Sequence, residues 1–259
     1  MAHVLITGAS SGIGEALARE FSRGGDAVTL VARRGEVLRA LAAELPGKSH
    51  VIAADLSDPA RAVAVLDEAT AALGPIDVLI NNAGAQIVAP IQTVSAERAD
   101  AMMRLDLTTP MRLTAAVLPG MLQRKSGVIV DIASLAALAP TPGMAYYNAA
   151  KAGLAGFSEG LRGELRGTGV HVLTVYPGPV DTPLARAAYD NYPPMARMLP
   201  GGRPEVLARR VRRAVLRRKT RVIYPLFYVL ARHFPGVTRW LMDNFAPKAL
   251  PPPAPPLKD

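Results

Sequence analysis

The sequence has 259 residues and no cysteine, and aromatic residues make up only 5% of it. The lack of cysteine excludes disulfide bonds and thiolate chemistry. No apolar run of about 20 residues is free of both charge and proline, which argues against a membrane-spanning helix. An apolar strand pattern begins at His3 with no secretory leader in front of it, so the expectation is a soluble cytoplasmic protein.

Apolar residues are abundant, because they make up 50% of the sequence and suffice for one sizeable core. Short apolar runs alternate with segments of helical periodicity, and no internal repeat is present. Strands are predicted at residues 3–7, 27–32, 51–54, 76–80, 128–132, 170–176 and 221–224. Helices are predicted at residues 12–23, 36–45, 59–73, 100–123, 145–166 and 204–217. This alternation predicts an α/β fold, a single doubly wound parallel sheet with helices on both faces.

A glycine-rich loop joins the first predicted strand to the first predicted helix, with the sequence Thr7-Gly-Ala-Ser-Ser-Gly-Ile-Gly14. Gly8 permits a tight turn, Gly12 lets the backbone approach a pyrophosphate, and Gly14 lets the helix pack against the strand. The N–H groups at the start of the helix favour phosphate. An ordinary strand-to-helix turn is the alternative for such a loop.

The spacing of these glycines resembles the TGxxxGxG loop of the short-chain dehydrogenase/reductase family. Residues 81–84 resemble the family's NNAG motif, residues 147–151 its YxxxK motif, and residues 177–182 its PG motif. Ser134 lies 13 residues before Tyr147, at the place of the family's catalytic serine. The resemblance covers residues 3–183 and implies a Rossmann-like fold and an oxidoreductase that uses a nicotinamide cofactor.

The resemblance also implies how the chain is divided. Residues 1–224 are expected to form an NADP-binding catalytic domain, with a substrate lid at about 183–203. Residues 225–245 would be an apolar helical extension, and residues 246–259 a flexible proline-rich tail. The residues implied to bind the cofactor are Gly8, Ser10, Ser11, Gly12, Ile13, Gly14, Arg33, Asp55, Leu56, Asn81, Ala83, Gly84, Tyr147, Lys151, Pro177, Gly178, Val180 and Thr182.

The end of the second predicted strand indicates which cofactor to expect. NAD-binding folds usually carry an acid there for the ribose 2′-hydroxyl, but this strand ends in Ala32, Arg33 and Arg34. No carboxylate repels a 2′-phosphate at this place, and Arg33 can pair with it bidentately. We therefore expect NADP(H) rather than NAD(H), with a solvated turn as the alternative for both arginines. Asp55-Leu56 resembles the family's adenine-contacting pair.

Tyr147 and Lys151 are four residues apart, so they share one face of the predicted helix. Tyrosine has a reference pKa of about 10, and a nearby cation lowers it. The resemblance implies that Tyr147 exchanges the proton, that Lys151 lowers its pKa and binds the ribose, and that Ser134 binds the substrate oxygen. Tyr146 lies off the shared face and is interpreted as a packing residue.

Asp106 departs from the family pattern. The family often has an asparagine on the long helix before the fifth strand, where it organises a water chain behind the lysine. An aspartate accepts the same hydrogen bonds but cannot donate amide ones. Its negative charge near Lys151 could weaken the effect of the lysine on Tyr147, so Asp106 is a fourth predicted catalytic residue.

Two segments are predicted to determine the substrate. Both are apolar, and methionines make the first adaptable, so an apolar ketone or aldehyde is expected. Packing of a helical cover is the alternative. The first segment contains Leu184, Tyr189, Tyr192, Met195, Met198 and Leu199, and the second contains Ile87, Val88 and Ile91.

Residues 203–221 contain nine arginines and lysines and one acid, while the chain as a whole has a net charge of +9. The stretch fits a core-facing helix with a solvated cationic side. The stretch also fits contact with anionic lipid or with a phosphorylated carrier, and the apolar residues after it up to 241 fit a membrane surface, a pocket cover or a subunit contact. No nucleic-acid-binding motif accompanies the charge, so nucleic acid is not an expected partner.

The prediction is an NADP(H)-dependent oxidoreductase that interconverts a carbonyl and an alcohol, with no metal site. The alternatives are a non-catalytic NADP(H)-binding sensor, which would commonly lack the tyrosine or lysine, and a peripheral membrane protein on the same fold. A sugar epimerase would normally carry a larger C-terminal part. The resemblance further implies a homodimer or homotetramer formed through the helices at 100–123 and 145–166.

Overall fold

The computed structural model of the protein describes residues 1–193 and 201–250. A seven-stranded sheet forms its centre in the order β3-β2-β1-β4-β5-β6-β7, and all neighbouring strands are parallel. The predicted doubly wound α/β fold is confirmed. Since β1 and β4 are neighbours, the connections after them diverge and leave a crevice at the carboxyl edge of the sheet. The strands are β1 (His3–Thr7), β2 (Ala27–Ala32), β3 (Ser49–Ala53), β4 (Val78–Asn81), β5 (Gly127–Ile132), β6 (Val170–Pro177) and β7 (Arg221–Tyr224).

Helices cover both faces of the sheet because alternate strand side chains point to opposite faces. Val4 and Ile6 pack against α1, α2 and α8, whereas Leu5 packs against α3 and α5. The helices are α1 (Gly12–Arg23), α2 (Gly35–Glu44), α3 (Pro59–Leu73), α4 (Ala96–Met103), α5 (Thr109–Gln123), α6 (Ala145–Glu164), α7 (Pro183–Tyr189), α8 (Pro204–Leu216), α9 (Val229–His233) and α10 (Pro235–Phe245).

The helix predicted at residues 100–123 is interrupted in the structure. A π-helical turn, Arg104–Thr108, separates α4 from α5. Pro110 has no N–H group to close the usual hydrogen bond to residue 106, which favours the wider turn at this place. Asp106 is the buried residue of the turn.

The substrate lid predicted at about 183–203, a proline-rich segment, contains α7. Thr182 caps this helix by accepting a hydrogen bond from the Ala185 N–H at 3.2 Å, and Pro183 occupies its first turn. Threonine followed by proline is a helix-start signal that the composition of the segment concealed. Three residues of the predicted lid, Met195, Met198 and Leu199, lie outside the described residues.

The basic stretch and the extension after it differ in burial. In α8, Leu207, Val211 and Val215 are buried while Arg209 and Arg210 are exposed, so it is a core-facing helix with a solvated cationic side. The extension consists of a 3-10 turn (Leu226–Tyr228), α9 and α10, and none of these elements contains a buried residue. No helix in residues 1–193 and 201–250 has the length and apolar character needed to cross a membrane.

Candidate active site

A cleft of about 870 Å³ lies at the carboxyl edge of the sheet. It brings together most of the residues that the sequence predicts for the site. The predicted residues that line it are Gly8, Ser10, Ser11, Gly12, Ile13, Arg33, Asp55, Leu56, Ala83, Gly84, Asp106, Ser134, Tyr147, Lys151, Pro177, Gly178, Val180 and Thr182.

Two predicted cofactor residues lie behind the cleft instead. A Cβ atom on Gly14 would lie 2.2 Å from the Gly8 carbonyl oxygen, so this glycine allows α1 to pack closely on the loop. The Asn81 amide donates hydrogen bonds to Asp131 at 2.8 Å and to Thr114 at 3.2 Å, inside the core. Both residues support the site without lining it.

The glycine loop has the geometry of a phosphate cradle. Gly8 and Gly12 have φ angles of 68° and 60°, in the region that favours glycine. Ser11 starts α1 without a side-chain cap, which leaves the first N–H groups of the helix facing the cleft for an anion. A Cβ atom on Gly12 would lie 3.1 Å from Thr182, so the loop and the start of α7 approach each other across the cleft.

Asn82 holds this loop, although only its neighbours were predicted as site residues. Its amide donates to the Thr7 carbonyl at 2.9 Å and to the Gly8 carbonyl at 3.3 Å. The Thr7 hydroxyl in turn accepts from the N–H groups of Asn82 and Ala83, each at 2.9 Å. The second asparagine of the NNAG pattern was the signal for this role.

The far end of the cleft is cationic. Arg33 and Arg34 follow β2, and Arg34 donates to the Ser10 hydroxyl at 3.0 Å and to its carbonyl at 3.1 Å. Asp55 accepts from the N–H and hydroxyl of Ser57, and these bonds, with a smaller effect of Arg33, lower the pKa of its carboxyl. A glycine cradle, a free helix start and two cations fit the phosphates of a dinucleotide.

Tyr147 and Lys151 extend from the first turns of α6 and are both buried. The Lys151 Nζ atom lies 5.8 Å from the centre of the Tyr147 ring. Burial raises the pKa of Tyr147 and Asp106 adds to this, while Lys151 and a hydrogen bond with Ser134 act in the opposite direction. Ser134 caps a short 3-10 turn by accepting from the Ala136 N–H at 3.1 Å, which leaves its own O–H free to donate.

Asp106 and Lys151 form a buried ion pair beneath the tyrosine. Asp106 is 0% exposed and Lys151 is 4% exposed, and the carboxylate oxygen Oδ2 lies 3.2 Å from the Lys151 Nζ atom. Nζ also donates to the Ile132 carbonyl at 3.2 Å, and Asp106 accepts from the Ala85 N–H at 2.7 Å. Burial alone would lower the pKa of Lys151, but the charges of Asp106 and Tyr147 raise it. Burial raises the pKa of Asp106 against the pull of Lys151.

A second buried carboxyl, Asp131 in β5, was not predicted. Burial raises its pKa to about 6, against the hydrogen bonds from Asn81 and Ser158 and the charge of Lys151. The only sequence signal was an acid inside the apolar run of residues 128–132. Two carboxyl groups, rather than one, therefore influence the lysine of the site.

The substrate side of the cleft is apolar. From the predicted lid, Leu184, Tyr189 and Tyr192 line it, but Ile87 and Val88 are packed in the core. Ile91 is exposed and does not line the cleft, so the second predicted substrate segment is wrong in position. The extension takes its place, with Phe227, Leu230, Leu241, Met242 and Phe245.

Comparisons with known proteins agree with this geometry. Residues 2–193 match the family model described as short chain dehydrogenase. A short chain dehydrogenase of Pseudocercospora fijiensis is 36% identical over 186 residues, which span 70% of this chain but only 60% of that protein. A short-chain dehydrogenase from Sphingobium yanoikuyae, solved in complex with NADPH, has a TM-score of 0.81 and 34% identity, covering 94% of this chain and 96% of that one.

A 3-ketoacyl-(acyl-carrier-protein) reductase from Brucella melitensis, solved with NADH, has a TM-score of 0.77 and 27% identity. It covers 86% of this chain and 96% of that one. Sheet order, glycine loop, cleft and family model all point to one family. The chain belongs to the short-chain dehydrogenase/reductase family of oxidoreductases.

Proposed function

We propose that the protein is an NADP(H)-dependent oxidoreductase that interconverts a carbonyl and an alcohol on an apolar substrate. The observation that carries this proposal is the convergence of Ser134, Tyr147 and Lys151 on the cleft that the glycine loop enters. A binding protein would need the loop but would not need a buried tyrosine beside a lysine and a serine hydroxyl.

Bound NADPH would supply the hydride for carbonyl reduction. Tyr147 gives its phenolic proton to the substrate oxygen and takes it back in the reverse direction. Ser134 donates a hydrogen bond to the same oxygen and stabilises the charge that develops there. Lys151 holds a positive charge near the tyrosine and offers N–H donors to a ribose, while Asp106 fixes the position of that charge.

The preference for NADP(H) is supported by the charges at the end of β2. Arg33 and Arg34 line the cleft, and Ala32 stands where an acid would repel a 2′-phosphate. Because an NADPH complex and an NADH complex both occur among the similar structures, the charges of this chain carry the argument.

The apolar substrate is supported by the lining of the cleft beyond Tyr147. Met144, Tyr189 and Tyr192 form one side, and Leu241 and Phe245 of the extension form the other. No arginine or lysine of the described lining lies on this side, since Arg33, Arg34 and Lys151 belong to the cofactor side and the catalytic pair. A charged substrate would lose its water there without gaining a partner.

The test is NADPH oxidation, followed by absorbance, with a panel of ketones and aldehydes of increasing apolar length. We expect turnover that increases with apolar length, and no turnover with any carbonyl or alcohol would contradict the proposal.

Arg33→Ala should weaken NADPH binding by about tenfold or more and leave NADH binding nearly unchanged. Arg39→Ala is the matched control, because Arg39 pairs with Glu36 on α2 and does not line the cleft. Equal losses for the two cofactors in Arg33→Ala would contradict the NADP(H) preference.

A further inference from the structure

The extension carries an apolar surface that the described residues leave uncovered. Phe234, Val237 and Trp240, spaced three residues apart at the start of α10, are each between 56% and 58% exposed, and none of them lines the cleft. We call these three residues the outer apolar face. Exposed apolar clusters of this kind mark interaction surfaces, whereas single exposed apolar residues do not.

The helix α10 has two apolar sides, of which one belongs to the outer apolar face and the other faces the cleft. Leu241, Met242 and Phe245 line the cleft, while Val237 and Trp240 lie outside it. The helix is therefore apolar over more than half of its circumference, and Arg239 and Asp243 share the remaining side, four residues apart. A helix with this pattern and no buried residue exposes apolar area that the described residues do not cover.

The charges around this surface favour an anionic partner. Among residues 226–250, Asp243 is the single acid, against Arg232, Arg239 and Lys248, and of these Arg232 pairs with Glu159 of α6 at 3.1 Å. Just before the extension, Arg210 lies 5.2 Å from the centre of the Tyr224 ring. The whole chain has a net charge of +9, which would oppose the approach of a second copy.

We propose that the outer apolar face docks on an anionic lipid surface. A tryptophan and a phenylalanine next to cations are typical of helices that lie at the level of lipid headgroups. An 11-residue helix is about 16 Å long and lies along such a surface rather than crossing it. Apolar side chains enter the interface, and the cations contact the headgroups.

Docking would also bring lipid close to the substrate side of the cleft. Phe227, Leu230 and Leu241 of the extension line the cleft, so an apolar substrate would pass from lipid towards Tyr147 along apolar side chains. This consequence rests on the proposed reaction, but the docking itself does not.

The test uses the full chain, with Trp240 as the probe because it is the only tryptophan. Vesicles of phosphatidylglycerol and phosphatidylcholine are compared with vesicles of phosphatidylcholine alone. We expect the mixed vesicles to shift the Trp240 emission to shorter wavelength and to sediment the protein, with binding that weakens as salt increases.

Two variants assign the effect to this surface. The double variant Phe234→Ser with Val237→Gln removes apolar area without adding charge, and serine suits the position of Phe234 at the start of α10. It should weaken vesicle binding by about tenfold or more. Leu216→Gln is the control, because Leu216 is 66% exposed at the end of α8, next to the amino end of β7 and away from the cleft. It should bind like the wild type.

The docking proposal is overturned if the mixed vesicles change neither emission nor sedimentation. It is also overturned if, without vesicles, the emission shifts as protein concentration increases and the double variant abolishes that shift, since the surface would then join two copies. Association through α5 and α6 would leave the Trp240 emission unchanged. NADPH turnover plays no part in these measurements, so the docking and the proposed reaction fail or hold separately.

Discussion

The glycine loop at one end of the cleft is fixed by the sheet, whereas the extension at the other end rests on a few contacts. Thr7, Asn82 and the close packing of Gly14 on Gly8 hold the loop against buried strands. The extension has no buried residue in α9 or α10. Its contacts include Arg232 with Glu159, Tyr228 against Gly178, and the Leu250 N–H with the Asn191 carbonyl at 2.9 Å.

This difference indicates that the two sides of the cleft can be altered separately. The cofactor side depends on backbone geometry that the core determines, so changes there should affect cofactor binding and stability together. The substrate side depends on polar contacts at the surface and on apolar contact with the substrate, so changes there should affect the KM for the substrate alone. The following substitutions test this separation.

Tyr147→Phe removes the proton donor at the place where the two sides meet. We expect kcat to fall by about 10²–10⁴-fold, the usual contribution of a positioned acid, with NADPH binding nearly unchanged. Steady-state kinetics and fluorescence titration with NADPH measure the two effects. Tyr146→Phe is the matched control, because Tyr146 packs beside Ile87 and Met102 and does not line the cleft. Full turnover by Tyr147→Phe would remove this tyrosine from the mechanism.

Gly14→Ala alters the cofactor side through the backbone. The added Cβ would lie 2.2 Å from the Gly8 carbonyl oxygen, so α1 or the loop must move. We expect NADPH affinity to fall by about tenfold or more, and the free energy of unfolding to decrease by about 1–3 kcal/mol. Gly156→Ala is the control, because Gly156 lies exposed in α6 with open space around its Cβ position. It should increase stability by up to about 1 kcal/mol and leave NADPH binding unchanged.

Asp106→Asn tests the ion pair under the catalytic tyrosine. The negative charge of Asp106 raises the pKa of Tyr147 and of Lys151, so its removal should lower both. Alcohol oxidation needs Tyr147 as a base, and its pH profile should therefore shift to lower pH. The profile of kcat/KM for oxidation measures the shift. Asp58→Asn, which removes a negative charge at the N-cap of α3 away from the cleft and keeps a capping oxygen, should leave the profile in place. A shift to higher pH in Asp106→Asn would contradict the assigned charge of the pair.

Most of the cofactor side could be predicted from the sequence because its residues follow strands. Parallel strands bring Gly8, Ala83 and Ser134 to one edge of the sheet, and helical spacing puts Tyr147 and Lys151 on one face. The ion pair between Asp106 and Lys151 could not be derived from spacing, because its geometry depends on the π-helical turn.

The substrate side was harder to predict. The segments around Ile87 and Leu241 are both apolar in sequence. In the structure, however, Ile87 packs into the core whereas Leu241 lines the cleft. Neither segment is a strand, so an alternating pattern cannot show which of its residues face the cleft. Which segment lines the cleft depends on the path of the extension, which the sequence does not reveal. Asp131 could not be predicted for a related reason, because the apolar pattern that indicates a buried strand carries no signal for a single buried acid within it.

Glu159 joins the extension to the helix that carries the catalytic residues. It lies on α6, 12 residues after Tyr147, and accepts hydrogen bonds from Tyr176 at 2.8 Å, Arg221 at 2.8 Å and Arg232 at 3.1 Å. Hydrogen bonding from Arg221, with smaller effects of Tyr176 and Arg232, lowers its pKa to about 2. Because the folded pKa is depressed, the stabilisation is present above the unfolded pKa of about 4.3 and is lost as pH falls towards 2.

Glu159→Gln should have the smallest effect of the four substitutions, and it should affect only the substrate side of the cleft. Since Glu159 is partly exposed, we expect a loss of about 1–2 kcal/mol in the free energy of unfolding at neutral pH. The loss should shrink as pH falls from about 4 towards 2, because the unfolded wild-type chain protonates Glu159 at a higher pH than the folded one. Because Arg232 then holds α9 less firmly, the KM for an apolar substrate should increase a few-fold while NADPH affinity stays the same.

Denaturant unfolding at several pH values and steady-state kinetics measure these effects. Glu205→Gln is the control for Glu159→Gln, because Glu205 forms a surface pair with Arg203. An equal loss of NADPH affinity in Glu159→Gln would mean that the extension and the cofactor side are coupled after all.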